Sequence, residues 1–184
     1  MKNILLYLSA FIPMYVLILI KEIIELIMGN IKFNFLSVLV LMFLISVILL
    51  GLIGLKLEIF NKKQDSKKVK ILNKENITDQ HFLGYFSLFV LFAITFDLSR
   101  VSMFIVFIII LIMIGVVYVK NKLFYINPFL NILGFNFYYI TYKVVGADKT
   151  KNTRIFFKGD LVCDRICYIK IKDENFSFID ESKK

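Results

Sequence analysis

Along this chain, stretches with almost no polar residue alternate with short segments crowded with lysine. The apolar runs are too long for the core of a globular domain. A hydrocarbon core about 30 Å thick needs around 20 helical residues at about 1.5 Å each. Four segments approach or reach that length, which predicts spans over about 4–28, 34–60, 79–98 and 101–120.

The four differ in how cleanly they read. Ile4 to Ile20 continues through Lys21, Glu22, Ile23, Ile24 and Glu25 toward Gly29 and Asn30, two residues that tolerate the left-handed backbone of a helix end. Pro13 sits mid-run, where a bundle can accommodate a kink. A signal peptide is the rival reading, but no small-x-small cleavage site follows the apolar core, so a retained span is expected. Leu36 to Leu55 carries no charge at all, and Val101 to Val119 is almost purely aliphatic. Phe82 to Leu98 is short and holds Asp97 near its end; Asn76-Ile77-Thr78-Asp79 before it looks like a capped helix start.

After Lys122 the pattern changes. Residues 123–133 are apolar but interrupted by Asn127-Pro128, too short to cross, and suited as a connector at the membrane interface. From Gly134 the residues favour strands: Phe135 to Tyr142 is aromatic and β-branched, Arg154 to Phe157 is short, Arg165 to Lys172 alternates apolar and basic, and Phe176 to Ile179 follows a turn. The expected fold is therefore an all-α membrane bundle of four transmembrane helices, residues 1–122. A cytosolic β-rich domain follows, residues 134–184, as a meander or small barrel too small to be robust alone.

Charge orients this arrangement. The loop between the second and third runs holds seven lysines: Lys56, Lys62, Lys63, Lys67, Lys68, Lys70 and Lys74. The segment after Val119 holds twelve basic residues. The other two connections hold only Lys21 and Lys32, balanced by Glu22 and Glu25, and the pair Asp97 and Arg100. Retention of Lys and Arg on the cytoplasmic side places both termini, the lysine-rich loop and the tail inside the bacterial cytoplasmic membrane. The net charge of +9 is thereby explained by topology, without a direct nucleic-acid surface. Lys62, Lys63, Lys67, Lys68 and Lys70 are candidate contacts for anionic lipid headgroups. Lys21, Glu25, Asp97 and Arg100 are candidate outer-face contacts, with Lys21 and Glu25 spaced to pair at four residues and Asp97 and Arg100 at three.

Candidate chemistry is sparse. No phosphate-binding glycine loop, HExxH or GxSxG sequence is present. His81 stands alone, and Cys163 and Cys167 are not in a CxxC pattern, so neither a metal nor any other cofactor is expected. The apolar runs hold few polar residues, which argues against a wide hydrophilic channel within one subunit. Gly51 and Gly54 would permit close helix contact.

One resemblance covers most of the chain. Asn127 to Tyr138 reads Asn-Pro-Phe-Leu-Asn-Ile-Leu-Gly-Phe-Asn-Phe-Tyr, Lys158-Gly159-Asp160 forms a turn in the tail, and the polar lead Asn76 to Gln80 precedes Phe82-Leu83-Gly84-Tyr85-Phe86. This order of parts resembles the KwaA membrane subunits of Kiwa anti-phage defence systems. The resemblance implies a four-span homo-oligomer, a tetramer, in the inner membrane. It further implies a response to phage-induced membrane disturbance and a cytosolic DNA-binding partner subunit, KwaB, with no catalytic residue. The leading expectation is a non-enzymatic membrane sensor or anchor that recruits a cytosolic partner. An oligomeric channel or pore-forming effector, and a stand-alone immunity or stress protein, are the alternatives.

Overall fold

A computed structural model describes residues 2–59, 66–121, 123, 127–146, 149–163, 166–173 and 176–179. The chain divides into two compact units: residues 1–58 with 83–129, and residues 59–82 with 130–184.

The first unit is helical. Helices α1 (Lys2–Ala10) and α2 (Ile12–Ile27) are followed by α3 (Phe35–Ile59), most of α4 (Thr78–Thr95) and α5 (Val101–Lys120). Phe11 leaves the helical region between α1 and α2, and the two axes meet at 53°. Pro13 is the cause: it lacks the N–H that would bond to Ser9, and its ring crowds that carbonyl. The Ser9 hydroxyl donates to the Leu6 carbonyl at 2.7 Å. Helix α2 stops at Gly29, with φ of 73°, where the Asn30 and Ile31 amides both donate to the Glu25 carbonyl. Helix α3 starts on a reciprocal cap. The Ser37 amide donates to Asn34 Oδ1 at 2.9 Å, and the Asn34 amide donates to Ser37 Oγ at 2.9 Å.

This corrects the expectation of a four-span bundle. Among the described residues, two helices are long and apolar enough to cross a membrane, Phe35–Leu57 and Val101–Lys120, or up to three if the bent pair Asn3–Ala10 and Ile12–Ile27 is one span. The continuous first span fails at the Pro13 break. The expected span over 79–98 fails on length: the apolar stretch of its helix, Gly84–Thr95, reaches only about 18 Å.

Within this unit α1 lies tightly on α3. A Cβ at Gly54 would stand 2.6 Å from Leu5 Cβ and 2.8 Å from the Leu5 carbonyl oxygen, and one at Gly51 would stand 3.1 Å from Ile12. The two glycines admit the close approach that their spacing suggested. Helix α1 also meets α5, where Tyr7 Oη donates to the Leu111 carbonyl at 2.6 Å and the Tyr7 and Tyr118 rings lie 5.5 Å apart. Phe11–Phe89 and Phe96–Phe107 ring contacts tie in α4 and α5. One buried polar pair completes the core: Asn127 Nδ2 donates to Ser9 Oγ at 2.9 Å, so the hydroxyl turned toward Leu6 finds a donor of its own.

The second unit is a β-barrel. Its strands are β1 (Ser66–Asn76), β2 (Phe135–Val144), β3 (Thr150–Lys158), β4 (Ile166–Asp173) and β5 (Phe176–Ile179). The sheet curls and closes in the order β1-β2-β3-β5-β4, with β1 antiparallel to both β2 and β4 and β3 parallel to β5. That order is the Greek-key arrangement of OB-fold barrels. Helices α4 and α5 are an insertion in the β1–β2 connection. The four strands expected between residues 135 and 179 form, but the barrel is more than a C-terminal tail. Its first strand comes from the lysine-rich loop.

The reason is visible in the alternation. Val69 and Ile71 are fully buried, with Lys68 and Lys70 exposed between and beside them. They join Tyr138, Ile140, Tyr142, Ile155, Leu161 and Ile169 in one core. Strand β1 passes to α4 at Ile77, whose amide donates to the Phe137 carbonyl at 3.0 Å. The Phe137 amide returns a bond to Thr78 Oγ1 at 2.8 Å, and Asn76 Oδ1 accepts the Thr78 amide at 3.0 Å, capping α4 as its sequence predicts. The short α6 (Pro128–Ile132) precedes β2, with Asn127 Oδ1 accepting the Phe129 amide.

Candidate functional site

The candidate residues fall into two groups, one on each unit. Lys67, Lys68 and Lys70 are exposed on β1, while Lys62 and Lys63 lie outside the described residues. Strand pairing sets more charge beside them. Lys70 stands directly opposite Lys143 of β2, and Lys68 opposite Tyr168 of β4. Lys68, Lys70 and Lys143 thus bring three cationic side chains together on adjacent strands. Ile166 and Val145, both more than half exposed, lie at its margin: Ile166 is opposite Lys70, and the Val145 amide donates to the Lys68 carbonyl. The face thus mixes lysines with exposed aliphatic side chains.

Lys74 behaves differently from its neighbours. Its Nζ donates to the Leu161 carbonyl and sits 6.0 Å from the centre of the Tyr138 ring. A lysine that the sequence groups with the others therefore braces the barrel. Tyr138 Oη in turn donates to the Gly159 carbonyl at 3.3 Å, in the Lys158–Asp160 turn.

The second group gathers around the turn between α4 and α5. Arg100 Nε pairs with Asp97 Oδ2 at 3.0 Å, as the spacing of three predicts. The Ser99 hydroxyl and amide both donate to Asp97 Oδ1. The hydroxyl bond, helped by the Ser99 amide and the nearby charges of Arg100 and Lys21, holds the Asp97 carboxyl below the ordinary aspartate range. Lys21 joins this turn by donating to the Phe96 carbonyl at 2.7 Å. It does so instead of bridging to Glu25, whose Oε2 accepts from Asn30 Nδ2 at 2.8 Å. The expected Lys21–Glu25 pair is thus replaced by two separate contacts, because carbonyls and amides at the two helix ends are nearer partners.

Sequence reasoning missed Glu22. The sequence places it among the charges of a connection, yet it is only 2% exposed and its Oε1 has no hydrogen-bond partner among the described residues. The signal was available: Tyr15, Ile18 and Glu22 recur at helical spacing, and the first two are fully buried.

Among the described residues, no group of three or more His, Cys, Asp or Glu side chains is placed to hold a metal ion. Neither Cys163 nor Cys167 is in a disulfide among the described residues. The chain is defined by apolar helices of membrane-crossing length together with a small closed barrel, and it is associated with a membrane. The family model described as anti-phage protein KwaA matches residues 2–178, and the chain belongs to that family of non-enzymatic anti-phage proteins. Neither a curated protein nor a solved structure matches the chain. The family agrees with the resemblance in the sequence. The four spans that the resemblance implied are replaced by the two, or up to three, found here.

Proposed function

We propose that this protein is the membrane-anchored subunit of a bacterial anti-phage complex, a sensor or anchor whose barrel recruits a cytosolic partner, the KwaB-like subunit. The observation that carries this reading is the basic face built around β1, where Lys70 stands opposite Lys143 and Lys68 lies two positions along the same strand. A fixed patch of like charge with exposed aliphatic neighbours suits an acidic protein surface, since complementary potential speeds encounter and fixes orientation. Lys67 lies on the same strand, and these lysines also attract anionic headgroups.

The helix ends support a cytoplasmic barrel. Lys56 lies in the last turn of α3 and Lys120 in the last turn of α5, and the chain enters barrel strands after each. Basic residues at both ends favour the cytoplasmic side for them and for the barrel. Ile4 shares a groove with Lys120, which supports a cytoplasmic N-terminus as well. The Lys21, Asp97 and Arg100 cluster, with Glu25 near it in sequence, is a surface for copies of the chain in a homo-oligomer.

The test is co-purification from membranes of cells carrying the whole defence locus. A Lys68→Glu, Lys70→Glu double variant should still reach the membrane but lose at least ten-fold of the bound soluble partner. Full retention of the partner at unchanged membrane content rejects the basic face as the docking surface.

A further inference from the structure

The helical unit contains a groove that the functions above do not use. It has a volume of about 590 Å³ and runs between α1, the start of α2, α3 and α5. Its floor is built by a specific fit: Gly115 lacks a Cβ, so the Tyr7 ring lies where that atom would be 3.0 Å away, and the Tyr7 hydroxyl is tied to the Leu111 carbonyl. Leu8 and Val47 form its walls, and Ile112 and Val116 line it while remaining well exposed.

Three observations identify what fills it. The lining is apolar throughout, and at one end it is formed by the aliphatic stem of Lys120, an exposed lysine. A cavity of this chemistry and size does not hold ordered water, which needs two to four polar partners. Along α5 the lining runs from Ile108 to Lys120, a rise of about 18 Å, close to the roughly 15 Å depth of one leaflet's hydrocarbon. The groove therefore spans one leaflet and ends in a cation at headgroup depth. We propose that it binds one acyl chain of an anionic glycerophospholipid, with Lys120 at the phosphate.

This site differs from the lysines of β1 because it is a defined slot for a chain, not a diffuse charged surface. The occupant enters sideways from the bilayer, and its headgroup charge is read by Lys120. A free fatty acid shares the tail chemistry but presents its carboxylate to the same lysine, so the test separates the two.

The experiment places the full-length protein in nanodiscs containing phosphatidylglycerol or phosphatidylethanolamine with a diazirine on one acyl chain, or a diazirine fatty acid in an unlabelled bilayer. Crosslinked residues are mapped by mass spectrometry. The expected result is adducts on Leu8, Ile112 and Val116 at least five-fold above those on Met113 and Val117. Phosphatidylglycerol should label better than phosphatidylethanolamine, and Lys120→Gln should erase that preference. Ile112→Trp, at an exposed position that folding does not depend on, should lower groove labelling several-fold. Equal labelling of Met113 and Val117 would mean ordinary surrounding lipid and overturn the proposal, as would stronger labelling by the fatty acid or indifference to Lys120→Gln.

Discussion

The two units solve the same problem of burying apolar side chains in opposite ways. In the barrel, Val69 and Ile71 point in while Lys68 and Lys70 point out, and the core draws its residues from β1, β2, β3 and β4 and from Leu161 in a loop. In the helical unit, α5 is apolar on every side: Phe107 and Leu111 are buried, while Ile109, Ile112, Val116 and Val117 are more than half exposed. An outward isoleucine would be a liability in water but is neutral against lipid tails. Packing there must come from close fit, which is why Gly51, Gly54 and Gly115 matter in the helices, whereas alternation alone organises the strands. Polar pairs show the same contrast. Ser9 and Asn127 satisfy one another in the apolar unit, while the barrel places its lysines outward and lets water solvate them.

The sharpest way to break this comparison is to attack β1, since its membership in the barrel is what turns a basic loop into a structural element. Ile71→Asp places an unpaired charge in the barrel core and should cost about 3–5 kcal/mol. Maleimide labelling of Cys167, half-buried on β4 opposite Val69, should accelerate strongly. Leu72→Asp, on the exposed face, should leave labelling unchanged, and equal effects at the two positions would exclude the strand.

A smaller effect tests close fit in the helices. Gly54→Leu forces its Cβ into the Leu5 backbone and should cost about 1–3 kcal/mol, read as a lower detergent unfolding midpoint. Gly84→Leu meets nothing within 4 Å and should be neutral or slightly stabilising. If the two behave alike, α1 does not rest on α3 as described.

The smallest effect sharpens the account of the basic face. Lys143→Glu converts the opposed lysines of β1 and β2 into an ion pair, with an expected gain of about 0.2–1 kcal/mol. The gain should fade as salt rises. A salt-independent change in barrel stability would mean that the pair is not in register.

Much of this was legible along the chain. The uncharged runs of α3 and α5, the stop at Gly29, the cap at Asn76 and the strands from Phe135 onward follow from local composition and period, because those signals act within a few residues. The charge spacing of Asp97 and Arg100 was enough to predict their pair. Lys21 and Glu25 were not so simple, since each found a backbone or amide partner nearer than the other.

The sequence by itself determined which segments avoid water and which alternate, because transfer free energy and side-chain period are properties of the residues. Tertiary structure alone decided three things. Helix α1, set off from α2 by Pro13, rests on α3 and α5. Glu22 is buried by the elements packed around α2. The segment Ser66 to Asn76 becomes a strand only because β2 and β4 offer hydrogen bonds on both sides and a core for Val69 and Ile71. Two apolar residues among lysines cannot hold an isolated strand. The four-helix expectation failed for the same reason: apolar content was read correctly, but where a helix breaks and how far it reaches are set by its neighbours.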